Sequence, residues 1–223
     1  MPGFPRDSCI RCGTCCLKGG PTLHHEDKKL LLNGHAGYEH LVTIRKGEAV
    51  FDPVLGAPRP TGHELVKVRG KGNGWSCCLF DERSSACRVY EHRFLECRLL
   101  KCWDPADLVA VIGVHTIVRT DVINPGDPVR QVIMAHEKEC PPDEVRVLID
   151  GLSRGEDRTK TLAALTRLAR RDLAVRRYAR TEMGLRAEHE YFIFGRPLSR
   201  ILASHGIMIH KRTAGNPPGK DRS

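Results

Sequence analysis

The chain has 223 residues, 40% of them hydrophobic and 28% charged, with a formal net charge of +9. That length can bury a sizeable core in one domain or a small pair, and the composition excludes a disordered chain. The longest uncharged apolar run, Leu108 to Val114, falls far short of the ~20 residues that span a bilayer. Met1 to Pro5 offer no apolar signal core, so the expectation is a cytoplasmic protein with no membrane partner.

Taken in chain order, Thr22 is placed as the N-cap of a short helix over Leu23 to Leu32, stopped by Asn33-Gly34. Leu41 to Ile44 reads as a strand, and Glu64 to Arg69 alternates with period two as a second. Between them Pro53, Gly56, Pro58, Pro60 and Gly62 predict a loop, and Gly70 to Gly74 a flexible turn. Asp104-Pro105 and Asp127-Pro128 each pair an N-cap acid with proline at the first helical position. They predict helices from Pro105 and from Pro128 to Lys138, with a buried strand over Leu108 to Val118 as the rival of the first. Asp143 to Gly151 and Glu156 to Gly184 read as helical. In the second, Leu162, Leu165, Ala169 and Leu173 share one face, and Arg167, Arg170, Arg171 and Arg177 lie opposite. Pro197 to His205 form a last short helix. The expected fold is α+β: a small cysteine-rich domain with short strands over 1–104, a mainly helical region over 105–212, and a disordered polar tail over 213–223.

Ten cysteines dominate the chemistry. In a chain without secretory features such a set points to metal binding or reactivity rather than to disulfides. Cys9, Cys12, Cys15 and Cys16 form a C-x2-C-x2-C-C block with Gly13 inside it. A C-x2-C turn sets two sulfurs on one side of the chain, the spacing one metal needs when each Zn–S bond is about 2.3 Å. The close triplet also suits an iron–sulfur cluster. Some 60 residues later come Cys78, Cys87, Cys97 and Cys102, with Arg88, Arg93, Arg98 and Lys101 among them to favour the ligating thiolate form. Cys77 is read as a neighbour of the ligand Cys78 or as its replacement. Cys140 stands four residues after His136, a spacing that lets a helix end present both to one ion. Tyr90 and Trp75 are expected to pack around the cysteines. The predicted metal ligands are therefore Cys9, Cys12, Cys15, Cys16, Cys78, Cys87, Cys97, Cys102 and Cys140.

These two blocks resemble the YkgJ-type cysteine-cluster proteins, a family of zinc- or iron-chelating domains with a CxxCxxCC signature. Cys9 to Cys16 reproduce the opening motif. Cys78, Cys87-Arg88-Val89-Tyr90-Glu91-His92-Arg93 and Cys97-Arg98 follow its second motif, with Phe94 where the family usually has proline. The resemblance spans roughly 9–104. Flagellin lysine methylases resemble the family too, but they are longer. This chain has no methyl-donor fingerprint, so no methyltransferase activity is carried over.

No G-x-S-x-G, H-E-x-x-H, P-loop or C-x3-C-x2-C run occurs. The sequence thus points to a metal-binding protein holding an iron–sulfur cluster or iron, alternatively zinc, through cysteine thiolates. Two further readings stay open. One is a metal-dependent redox or protein-modifying enzyme. The other is a zinc-stapled interaction module whose Arg167–Arg180 helix binds an acidic protein or a nucleic acid. Residues 1–150 carry 20 Lys+Arg and 20 Asp+Glu, whereas 151–223 carry 16 and 7, so the whole excess of +9 lies in the last third.

Overall fold

The structure is a computed structural model and describes residues 8–52, 55–72 and 74–209. Met1 to Pro5 and the tail over 213–223 lie outside those residues. The fold is α+β, with short antiparallel strands in the N-terminal half and a mostly helical C-terminal part.

Thr14–Leu17 forms one turn, α1, and Lys28–Leu32 a short helix, α2. The helix expected from Leu23 starts late. Thr22 bridges to Lys67, and Leu23 N–H donates to Val66 O at 2.8 Å, so backbone pairing to a neighbouring strand displaces the cap. Winding begins at His25 and ends at Asn33, with Gly34 at φ 74°.

Leu41–Ile44, β1, is buried at every position. The loop expected next is a hairpin of Ala49–Asp52, β2, and Ala57–Pro60, β3, with Phe51 opposite Pro58 and Ala49 opposite Pro60. A two-stranded ribbon leaves an outer edge on each strand, where a residue lacking N–H costs no ladder bond. Asp52 braces the turn: its carboxylate meets Arg59 at 2.6 Å and accepts Leu55 N–H at 3.1 Å. Leu65–Val68, β4, returns antiparallel to β1, as the alternation predicts.

Phe80–Asp81, β5, and Ala86–Cys87, β6, make a small hairpin, followed by Leu95–Leu99, α3, and Ala106–Val109, α4. Neither expectation for Leu108 to Val118 holds. The helix stops after one turn, and Gly113 and His115 at φ 73° and 51° break any ladder. Only Ile117 of the run enters the core, its N–H donating to Leu23 O at 3.1 Å.

The C-terminal part contains Val129–Glu139 (α5), Pro142–Ser153 (α6), Arg158–Glu182 (α7), Glu190–Phe194 (α8) and Leu198–Ser204 (α9). The two Asp-Pro starts behave alike: Asp104 accepts Ala106 N–H at 3.2 Å and Asp127 accepts Val129 N–H at 2.9 Å. Helix α8 was not expected from the sequence. Its Phe192, Ile193 and Phe194 are buried, and Thr43 of β1 donates its hydroxyl to Phe192 O. At Gly195, φ 71°, a Cβ would stand 2.8 Å from Thr43 O, so glycine permits this close approach.

The buried stripe of α7 differs from the predicted one. It runs Thr161, Leu165, Leu168, Ala169, Asp172, Arg176 and Ala179, and Leu173 is half exposed. The inward positions turn polar halfway along, which a count of apolar residues misses. Asp172 satisfies that polarity. It accepts from His136 Nε2 (2.7 Å), Arg176 Nε (2.9 Å) and Leu198 N–H (3.0 Å). Arg45 and Arg119, both almost fully buried, pair with Glu137, and Arg119 also meets Glu64 at 2.9 Å. These ion pairs join the strands to α5. One apolar cluster surrounds β1, β4, α5 and α8, and a second lies among α6, α7 and α9. No described helix is long and apolar enough to cross a membrane.

Candidate metal centre

The first cysteine block reaches the second through a glycine. Gly13 has φ 74°, and a Cβ there would stand 2.2 Å from the ring of Phe80, so the turn of α1 lies directly on β5. Within α1, Cys16 O accepts Cys77 N–H at 2.8 Å. Backbone bonding thus couples the two blocks, although about 60 residues separate them in sequence.

Cys77 and Cys78 precede β5, and Cys87 lies on β6 opposite Phe80. Asp81 closes the hairpin by accepting from Arg83 N–H and Ser84 Oγ. Cys97 rides on α3. The start of that helix is anchored by buried Asp27, which accepts Leu95 N–H and His24 N–H, each at 2.9 Å. Phe94 keeps φ −61° and ψ 158° and is buried. It therefore holds a backbone angle that proline also takes while filling the core with its ring. Beside Cys97, Glu96 accepts Thr22 N–H at 2.7 Å and faces His24 Nε2 at 3.4 Å, and Lys67 Nζ donates to Thr22 Oγ1 at 3.0 Å.

The thiols act on one another electrostatically. A hydrogen bond from Cys16, with the two Sγ atoms 4.0 Å apart, draws the Cys15 thiol down to about 6. The same bond, then burial, then the charges of Cys15, Cys77 and Cys87, push Cys16 strongly up. Burial raises Cys77 to about 11, with Cys78 and Cys87 adding to it. Burial also raises Cys97, followed by Cys77, Cys15 and Cys87. Charges from both blocks thus act on Cys16 and Cys97, and Cys78 acts on Cys77 as well.

The other predicted ligands have different surroundings. Cys78 directs its S–H to His40 O at 3.6 Å, and its thiol is raised by burial against the pull of Arg69 and Arg88. Cys9 and Cys12 are exposed, with Cys9 Sγ accepting Arg11 N–H at 3.4 Å and Cys12 Sγ 3.3 Å from Thr14 Oγ1. Cys102 is exposed. Cys140 is fully buried in the second apolar cluster, its S–H directed to Leu168 O at 3.6 Å, and burial pushes it up to about 12. None of the ten cysteines is in a disulfide. As the side chains stand, no three His, Cys, Asp or Glu among the described residues converge at metal-ligating separations.

One feature of the site escaped the sequence reading. The Tyr90 ring lies between two guanidiniums, Arg11 at 3.8 Å and Arg93 at 4.1 Å from its centroid. Arg11 sits inside the first C-x2-C turn at φ 56°, so this stack clasps that turn onto the second block. The signal available was an arginine inside one cysteine motif and a Tyr-x-x-Arg inside the other. Trp75, expected among the cysteines, is 77% exposed.

The donors are sulfur throughout, and the raised thiols of Cys16, Cys77 and Cys97 keep protons that a thiophilic cation would displace. That chemistry fits iron or zinc. The fold and site define a cysteine-cluster protein of α+β architecture. Residues 8–140 match the sequence model of the CxxCxxCC family, described as a "putative zinc- or iron-chelating domain", and the chain belongs to that family. The match extends beyond the motif-bearing stretch and ends at Cys140. No curated protein and no solved structure matches the chain.

Proposed function

We propose that the protein holds iron through thiolates of its two cysteine blocks, as an iron–sulfur cluster or as bound iron, with zinc as the alternative occupant. The observation that carries this reading is the bond from Cys77 N–H to Cys16 O at 2.8 Å, which with Gly13 lying on Phe80 brings together two cysteine blocks distant in sequence. Cys9, Cys12 and Cys102 complete the proposed set from exposed loops. At the adjacent pair, Cys77 N–H bonds to Cys16 O whereas the Cys78 thiol is directed to His40 O, which supports Cys77 as the ligand. Cys140 stays outside the set, because its thiol is enclosed among α6, α7 and α9.

When bound, an iron–sulfur centre would supply a one-electron redox site, and zinc a rigid cross-link. The chain's own groups prepare for either. Gly13 lays the first block on Phe80, the Tyr90 stack holds the Cys9–Cys12 turn, and Arg93 favours the Cys15 thiolate. Raised thiols at Cys16, Cys77 and Cys97 mean that loading releases protons and weakens as pH falls. A cytoplasmic setting, which keeps thiols reduced, belongs to the same proposal.

The test is oxygen-free purification followed by iron, zinc and labile-sulfide analysis with visible absorption. A brown protein with sulfide supports the cluster, and a colourless zinc protein supports the alternative. A preparation with neither metal and ten titratable thiols rejects both. Cys77→Ser is expected to lower metal content more than Cys78→Ser.

A further inference from the structure

A second surface, on the other half of the chain, has a chemistry of its own. Between α5 and α7 runs an open groove of about 560 Å³, lined by Gln131, Val132 and Ala135 from one helix and Ala174, Val175 and Tyr178 from the other. Its lining is almost wholly apolar. Tyr178 is 54% exposed, and exposed Met134 and Leu173 extend the apolar surface along the two helices.

Cations rim this floor. At ~100° per residue, Arg167, Arg170, Arg171 and Arg177 all fall within about 60° of Ala174 around α7, and all four are exposed. Lys138 stands one turn beyond Ala135 on α5. Arg171 meets Glu139 at 3.7 Å, and Glu182 lies at the far end of α7. Among the described residues Arg167, Arg170 and Arg177 have no ion-pair partner. This rim is part of the stretch that carries the chain's entire positive excess.

The combination selects an occupant. A second copy docked face to face would set these arginines against themselves. A nucleic-acid backbone would use the cations and leave the apolar floor exposed to water. An amphipathic helix with carboxylates beside its apolar edge satisfies both features. We propose that this groove docks an acidic amphipathic helix of a partner protein. Its apolar edge would lie on Val132, Ala135, Ala174 and Tyr178, and its carboxylates on Arg167, Arg170, Arg171 and Arg177. The proposal goes beyond the metal reading and does not depend on it.

Fluorescence anisotropy on the full chain as purified tests this. The probes are a labelled helical peptide of Leu/Glu heptads, a scrambled peptide of the same composition, and a labelled DNA duplex. The ordered peptide should bind at least about tenfold tighter than the scrambled one. Ala174→Glu should weaken that binding about tenfold, as should Arg170→Glu combined with Arg171→Glu, with metal content unchanged. No binding, equal binding of the two peptides, tighter binding of the duplex, or indifference to Ala174→Glu overturns the proposal. If Ala174→Glu does not fold, Tyr178→Ser makes the same test from the other side of the groove.

Discussion

Around the cysteines the chain is assembled from elements of two to five residues, joined by single hydrogen bonds such as Cys77 N–H to Cys16 O. Around α7, helices of 11, 12 and 25 residues pack along their lengths and bury charged groups in pairs. The first region has four thiols exposed or half exposed in its opening block. The second encloses its lone thiol, Cys140, completely. The difference is one of what supplies the stability. Long helices bury apolar surface along their lengths, whereas the short turns around the cysteines lean on a few core residues such as Phe80 and Phe94, and under the proposed function on bound metal as well.

The sharpest break in this comparison is expected at Asp172. Asp172→Ala strands Arg176 and His136 in the interior, and removing one partner of a buried ion pair costs on the order of 3–5 kcal/mol. Urea unfolding should register that loss while the metal content of the surviving folded protein stays the same. A large change in metal content would show that the two regions are not energetically separate.

Gly13→Ala should have the next largest effect, localised at the cysteines. It combines a left-handed backbone with a collision against Phe80 and is expected to cost about 1–3 kcal/mol. Gly34→Ala is the control, since Gly34 has the same φ of 74° and no atom within 4 Å of its Cβ position. Metal content should fall in the first variant alone.

Tyr90→Ala removes two cation–π contacts, each about 0.5–1 kcal/mol at an exposed site. A several-fold faster loss of metal to a competing chelator is expected, with Tyr90→Phe close to the parent. Equal behaviour of the two variants would mean that the ring does not hold the Cys9–Cys12 turn.

The smallest effect is a pH dependence confined to the helical region. Burial holds His136 below its ordinary 6.5, and its bond to Asp172 only partly offsets this. The unfolded chain therefore takes up a proton at His136 before the folded one does, and stability falls as pH drops through 6.5. Asp172, whose carboxyl is held low by His136 and Arg176 against burial, adds a further loss at more acid pH. Hydrogen exchange on metal-free protein should show protection declining in α5 and α7 between pH 7.5 and 5.5. A decline confined to the cysteine blocks would contradict this assignment.

Local rules read correctly where a segment's neighbours do not compete with it. The alternation of Glu64 to Arg69, the Asp127-Pro128 start and the two long helices all appear as expected, because periodicity and capping are properties of adjacent residues. The misses share a physical cause. Thr22 lost its cap to pairing with Lys67, Pro58 and Pro60 found a tolerant edge, and Leu173 gave way to Asp172 and Arg176 on the inner face of α7. In each case a partner distant in the chain determined the result.

By itself the sequence determined that this protein carries two thiol-rich blocks of the CxxCxxCC kind, an α+β order of elements and a basic final third. Those follow from residue identity and spacing, which need no neighbour to be read. That the two blocks meet through Cys16 O and Cys77 N–H, that Cys78 turns its thiol to His40 O, that Tyr90 stacks with two arginines, and that α5 and α7 leave an apolar groove were decided only by the tertiary structure. Side-chain direction depends on the packing of segments far apart in the chain, and spacing along the chain carries no record of it.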